Sequence, residues 1–151
     1  MERRWIVDGY NLIHTCKSLY PKVFSKESLF DQMANFASME SDTVLCVLDG
    51  KGPAAELDKY KTRRFEIRYS QEVSADAVIE KMVHHASVKL SVIVVTSDRA
   101  IQDMVRGSGA RVMDCAEFAR HMQSFSKTMD NTLFKNKFES HGFHRPFEKE
   151  L

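Results

Sequence analysis

The segment Trp5-Ile6-Val7-Asp8-Gly9-Tyr10-Asn11-Leu12 is an apolar run that ends abruptly in an acid, a glycine and an amide. The pattern predicts a strand over Arg4 to Asp8 that runs straight into a loop. A carboxylate where a buried strand meets a loop costs free energy unless something pairs with it, so Asp8 is a candidate for cation binding or catalysis. Two later segments repeat the arrangement. Ser74-Ala75-Asp76-Ala77-Val78-Ile79-Glu80-Lys81 and Val94-Val95-Thr96-Ser97-Asp98-Arg99 each put another acid at a helix start or a strand end.

Working outward from the first strand, four more are predicted at Thr43 to Asp49, Phe65 to Tyr69, Ser91 to Thr96 and Arg111 to Asp114. Val44-Leu45-Cys46-Val47-Leu48 and Val92-Ile93-Val94-Val95 are continuous apolar runs. Such runs belong to strands covered on both faces, as in parallel sheets. Helical spacing of apolar residues appears at Ser28 to Ser38, Ala75 to Ala86, Arg99 to Arg106 and Ala116 to Phe125. Gly107 is a stop signal and Gly109 turns the chain into the last strand. The connection Gly50 to Arg64 holds a short helix around Ala54 to Lys61. Strands alternating with helices imply an α/β fold, a parallel sheet of about five strands wound by right-handed crossovers.

A chain of 151 residues with 43% apolar and 28% charged residues suits one soluble globular domain. No apolar run approaches the roughly 20 residues of a membrane span, and no signal-peptide region precedes the first strand. Cys16, Cys46 and Cys115 are odd in number and widely spaced, which reads as reduced thiols in a cytoplasmic protein rather than a disulfide or zinc framework. We expect one domain over residues 1–126. Residues 127–151 form a phenylalanine-rich tail expected to pack on it or to be partly disordered.

Ligands of open parallel sheets bind beyond the carboxyl ends of the strands, where strand order reverses. A sheet ordered 3-2-1-4-5 would set Asp8 beside Asp98, with Asp49 flanking from the other side. Asp76 and Glu80 are four apart and share a helix face. Carboxylates crowd like this when protonated or bound to a cation. Mg²⁺ or Mn²⁺ suits oxygen ligands, with Asp8, Asp76 and Asp98 as the core and Glu80 and Asp49 as further candidates. Such ions activate water and neutralise a phosphodiester, so the implied chemistry is phosphodiester hydrolysis. Each acid also has a bland reading, as a helix cap or turn residue.

The ordered motifs Ile-Val-Asp8-Gly-Tyr-Asn11-Leu-Ile, Val-Leu-Asp49-Gly, Ser-Ala-Asp76-Ala-Val-Ile-Glu80-Lys and Val-Thr-Ser-Asp98-Arg resemble the YacP-like type of NYN-domain protein, among the PIN-like nucleases. The resemblance covers roughly Trp5 to Phe125. It implies a PIN-like three-layer sandwich and a metal-dependent endoribonuclease of bacterial RNA turnover, with messenger RNA on the ribosome as one substrate setting. Asp8, Asp76 and Asp98 match the acidic core, and Asn11 and Glu80 match less decisive positions.

For RNA contacts, Lys51 to Arg68 carries Lys51, Lys59, Lys61, Arg63, Arg64 and Arg68 against three acids. The segment is expected to leave the second strand at the acid-bearing edge and steer a phosphate backbone there, with Tyr60 stacking on a base. Arg99 either touches the scissile phosphate or pairs with Asp98, and Asn11 either contacts phosphate or holds an acid in place. A noncatalytic RNA-binding or ribosome-associated module of the same fold stays open. A haloacid-dehalogenase-type phosphatase would want an acid at Tyr10, and a dinucleotide site would want a glycine triad after the first strand, so no nucleotide cofactor is expected.

Overall fold

A computed structural model describes residues 2–123, so the expected tail and the end of the expected domain lie outside the described residues. Five strands, β1 (Arg4–Asp8), β2 (Thr43–Leu48), β3 (Phe65–Tyr69), β4 (Val92–Val95) and β5 (Arg111–Met113), form one sheet in the order β3-β2-β1-β4-β5. Every neighbouring pair is parallel. The helices are α1 (Gly9–Leu19), α2 (Lys26–Glu40), α3 (Ala54–Tyr60), α4 (Ala75–His85) and α5 (Arg99–Gly107), followed by α6 at 115–123. The α/β class and the 3-2-1-4-5 order are those expected from the sequence, because continuous apolar runs require helices on both faces.

Alternation along each strand assigns the two faces. Trp5 and Val7, Val44, Cys46 and Leu48, and Ile93 and Val95 pack with residues of α1, α2, α3 and α6. Ile6, Val47, Val92 and Val94 point the other way, onto Ala75, Ile79 and Val83 of α4 and Ile101 and Val105 of α5. The first layer is strongly aromatic. Trp5 lies 5.1 Å from Phe36 and 5.3 Å from Phe118 between ring centroids, and its indole N–H donates to buried Asp42 at 3.0 Å.

One local feature departs from the sequence reading. Where a loop was expected after Asp8, α1 starts at Gly9 with Asp8 as its N-cap residue. Leu12 and Cys16, four apart, give this helix its buried stripe. Gly9 serves the close approach of α1 to β2 rather than a left-handed turn. A Cβ there would meet the Val47 carbonyl oxygen at 2.7 Å and Cys46 Sγ at 2.9 Å, so the glycine lets α1 seat against β2. Left-handed backbone occurs instead at Gly50, φ 88°, and Gly109, φ 97°.

Among the described residues, no helix is long and apolar enough to cross a membrane.

Candidate active site

Strand alternation alone decides where the strand-end acids point. Asp8 follows Val7 and so faces the same side as Ile6, the side covered by α4 and α5. Asp49 shares the phase of Val47. Thr96, one residue past β4, shares that of Val94. Both α4 and α5 begin at this carboxyl edge, because each follows a strand of a parallel sheet. Asp76 stands in the first turn of α4 and Asp98 is the N-cap of α5.

Hydrogen bonds fix this edge. Thr96, fully buried, donates its hydroxyl to Asp8 Oδ2 at 2.9 Å. Thr96 Oγ1 in turn accepts from the Asp98 backbone N–H at 3.1 Å, so one side chain joins two of the acids. Gln102 Nε2 donates to the Thr96 carbonyl at 2.7 Å. Asp98 Oδ1 accepts from the Ile101 N–H at 3.1 Å, a side-chain cap that holds its carboxylate at the helix mouth. Asp49 Oδ1 accepts from the Ala75 N–H at 2.9 Å, and Ser74 caps Ala77 at 3.1 Å, which together set the entry angle of α4 and thus Asp76.

The acids act on one another. Asp8 is only 8% exposed, and burial is the largest cause raising its carboxyl above the ordinary 3.8. The Thr96 hydroxyl opposes that rise, while Asp76 and Asp98 add to it. Asp76 is raised as well, by desolvation first, then by Asp98 and Asp49. Among the described residues none of these four acids enters an ion pair with a lysine or arginine. Mutually repelling carboxylates without a protein cation are relieved by a hard divalent ion.

The donor set is all oxygen, as Mg²⁺ or Mn²⁺ requires. No three His, Cys, Asp or Glu among the described residues stand close enough to grip one ion together. The arrangement therefore suits an ion that keeps several waters and is held through one or two carboxylates, the usual habit of Mg²⁺.

The other candidate residues are dispersed. Glu80 lines a separate surface cavity of about 360 Å³ between α4 and α5, with Met104 and Ser108, and is not among the charges acting on Asp8 or Asp76. Asn11 Oδ1 accepts from the Ser97 N–H at 3.1 Å and from Cys115 Sγ at 3.3 Å, pinning the loop between Thr96 and Asp98. Arg99 is exposed and forms no ion pair with Asp98 among the described residues. Lys51 leaves β2 at the acid-bearing edge and pairs with Glu72 at 2.7 Å.

The rest of the basic segment does not flank the acids. A parallel connection must return to the amino edge before β3 starts, so Lys61, Arg63 and Arg64 lie at the opposite end of the sheet. The Arg64 carbonyl accepts from the Val44 N–H at 2.8 Å there. Lys59 Nζ sits over the Tyr60 ring at 5.3 Å. Tyr60 itself is no stacking platform for a base: it is buried against Phe30, with centroids 5.1 Å apart.

Thr96 and Asp114 received no role from the sequence. Thr96 is the polar interruption of the run Val92 to Val95, and its place before Ser97-Asp98 is the signal that could have marked it. Asp114 ends β5 as the other acids end their strands. Its Oδ2 accepts from Ser97 Oγ at 3.4 Å and its Oδ1 caps Ala116 at 2.8 Å.

The family described as the YacP-like NYN domain matches residues 5–151. Among solved structures, Rae1 (YacP) from Bacillus subtilis is 27% identical with a TM-score of 0.72, covering 94% of this chain and 85% of that one. A mutant of the same Bacillus subtilis protein is 26% identical with a TM-score of 0.71, covering 91% and 85%. No curated protein matches this chain.

Proposed function

The chain belongs to the YacP-like NYN domain family, a family of PIN-like nuclease fold, and from that premise we propose that it is a metal-dependent endoribonuclease. Asp8, Asp76 and Asp98 are its acidic core, with Asp49 as support for Asp76. The observation that carries the reading is the state of Asp8. It is buried, its carboxyl raised first by that burial and then by Asp76 and Asp98, and it is joined to the Asp98 loop by one threonine hydroxyl.

In this reading a bound Mg²⁺ or Mn²⁺ supplies a polarised water and neutralises charge on the phosphodiester. Asp8, held by Thr96, keeps one oriented carboxylate oxygen at the buried base of an edge where Asp98 is half-buried and Asp76 is exposed. Asp76 and Asp98 contribute negative charge from two helix starts, so they would attract the cation and orient its waters while their own helices hold them still. Asn11 is a positioning residue that fixes the Ser97 backbone. Arg99, exposed at this edge, is available to the substrate phosphates, and Lys51 reaches them by exchanging its exposed pair with Glu72. Glu80 stands one helical turn below Asp76 and is assigned no direct part.

The substrate class we propose is RNA in bacterial cytoplasmic turnover, messenger RNA at the ribosome being one setting. Residues 1–126 are the proposed catalytic unit, to which 127–151 are appended. Incubating the full chain with end-labelled single-stranded RNA and Mn²⁺ tests the proposal. Internal cleavage that Asp8→Asn abolishes is the expected result. Binding without cleavage, unchanged by Asp8→Asn, would make the protein a noncatalytic RNA-binding module instead.

A further inference from the structure

A cationic groove lies at the other end of the sheet face that carries the acids. Its cavity is about 310 Å³. Ile6 and Leu45 form its floor and Met82 of α4 its wall, all belonging to the apolar cluster on the α4 and α5 side. Arg4, Lys61, Arg63, Arg64 and Arg68 surround it, against Glu2 and Glu66. Arg64 is engaged with Glu2 at 3.5 Å, and Arg68 with Glu66 at 3.5 Å. Arg4, Lys61 and Arg63 are exposed and form no ion pair among the described residues.

Like charges gathered around a concave apolar floor repel one another and focus a positive potential outward, which favours a polyanion. The groove and the acids stand at the two ends of β2, beside the edge strand β3. Arg68 pairs in register with Val47, halfway from Leu45 to Asp49. That path is about 13 Å long at the usual rise per strand residue. Val47 itself is buried under α4, so a strand of linked phosphates would pass along the β3 edge, over exposed Arg68.

We propose that this groove is a second RNA subsite, which holds backbone phosphates of a single-stranded RNA while another part of the same strand lies at Asp8, Asp76 and Asp98. Arg4, Lys61 and Arg63 bind the phosphates, and the apolar floor accepts ribose or base. The inference rests on the endoribonuclease reading for the identity of the ligand. Its test is a binding measurement in EDTA, so that it reads separately from cleavage.

The anisotropy of fluorescein-labelled single-stranded RNA is followed with the full chain over a range of salt. The Arg4→Gln/Lys61→Gln/Arg63→Gln variant is set against a Lys17→Gln/Lys22→Gln/Arg120→Gln control, which removes the same charge from exposed positions elsewhere. The groove variant is expected to bind about tenfold more weakly at low salt. Its salt slope should be shallower by about 2, from about 0.7 per lost phosphate contact, while the control stays near wild type. A Lys61→Gln/Arg63→Gln variant, which leaves β1 untouched, should show about two thirds of the slope change. Equal losses in groove and control variants, or no loss in either, would overturn the subsite. So would a groove variant that alters sedimentation mass but not RNA affinity, since the groove would then be a contact between copies. Failure to cleave RNA with the binding result intact would overturn only the nuclease reading.

Discussion

Thr96 Oγ1 donates to Asp8 Oδ2 at 2.9 Å and accepts the Asp98 N–H at 3.1 Å, so a single buried hydroxyl ties the end of β1 to the start of α5. Two of the acids hold their separation through it, and each residue that touches it has a testable share in the site.

Thr96→Val keeps the side-chain shape and removes both hydrogen bonds. Loss of a supporting partner of a metal-binding carboxylate typically lowers metal affinity or activity by about 10–100-fold. That range is expected for RNA cleavage measured across a Mn²⁺ titration, with Thr96→Ser close to wild type. Equal activity of all three proteins would remove Thr96 from the account.

Asp98 has two separable jobs, capping α5 and carrying charge. Asparagine caps as well as aspartate, whereas alanine costs about 1 kcal/mol at an N-cap. Urea denaturation should therefore find Asp98→Asn near wild-type stability and Asp98→Ala destabilised. Cleavage should be lost in both. Retained cleavage in Asp98→Asn would show that only the cap matters.

The pH dependence follows from Asp8 and Asp76, both raised above the ordinary 3.8. The native state then keeps protons that the unfolded chain has released, so stability from these groups is greatest below about pH 3.8 and falls as pH rises through their raised values. Asp8→Asn removes the Asp8 share of this while its amide oxygen can still accept from Thr96. In EDTA, the stability of Asp8→Asn relative to wild type should grow as pH rises from 3.8 and then level off. A difference independent of pH would mean that Asp8 is not held raised.

Gly9→Ala probes the seating of α1 on β2. The added methyl meets the Val47 carbonyl and the Cys46 thiol, and backbone cannot move aside cheaply. Overpacking of this kind costs about 1–3 kcal/mol, visible as a lower urea midpoint with an unchanged m-value. No loss of stability would indicate that α1 can shift without strain.

Much of this architecture is legible because the strands write their own faces. Continuous apolar runs at Val44 to Leu48 and Val92 to Val95 require two covering layers, and a single switch point then gives the strand order. The acids at Asp8 and Asp49 inherit their direction from Ile6 and Val47. What the sequence hid was set by neighbours rather than by pattern. The start of α1 at Gly9 depends on β2 lying beneath it, and Tyr60 is core because Phe30 comes from another helix. The placement of Lys61 to Arg64 was misread for a different reason. Their charge suggested a place beside the acids, whereas the parallel connection to Phe65 obliges them to lie at the amino edge.

The central claim is that the edge bearing Asp8, Asp76 and Asp98 binds one divalent cation, held through Asp8 and at most one other carboxylate, with waters completing its shell. Crystals of the full chain soaked in Mn²⁺, with anomalous difference maps calculated for wild type and Asp8→Asn, test it most directly. The account predicts a manganese peak at the carboxyl edge between β1 and the starts of α4 and α5, directly on Asp8 and lost in the variant. No peak at that edge, or a peak that persists unchanged in Asp8→Asn, would contradict it.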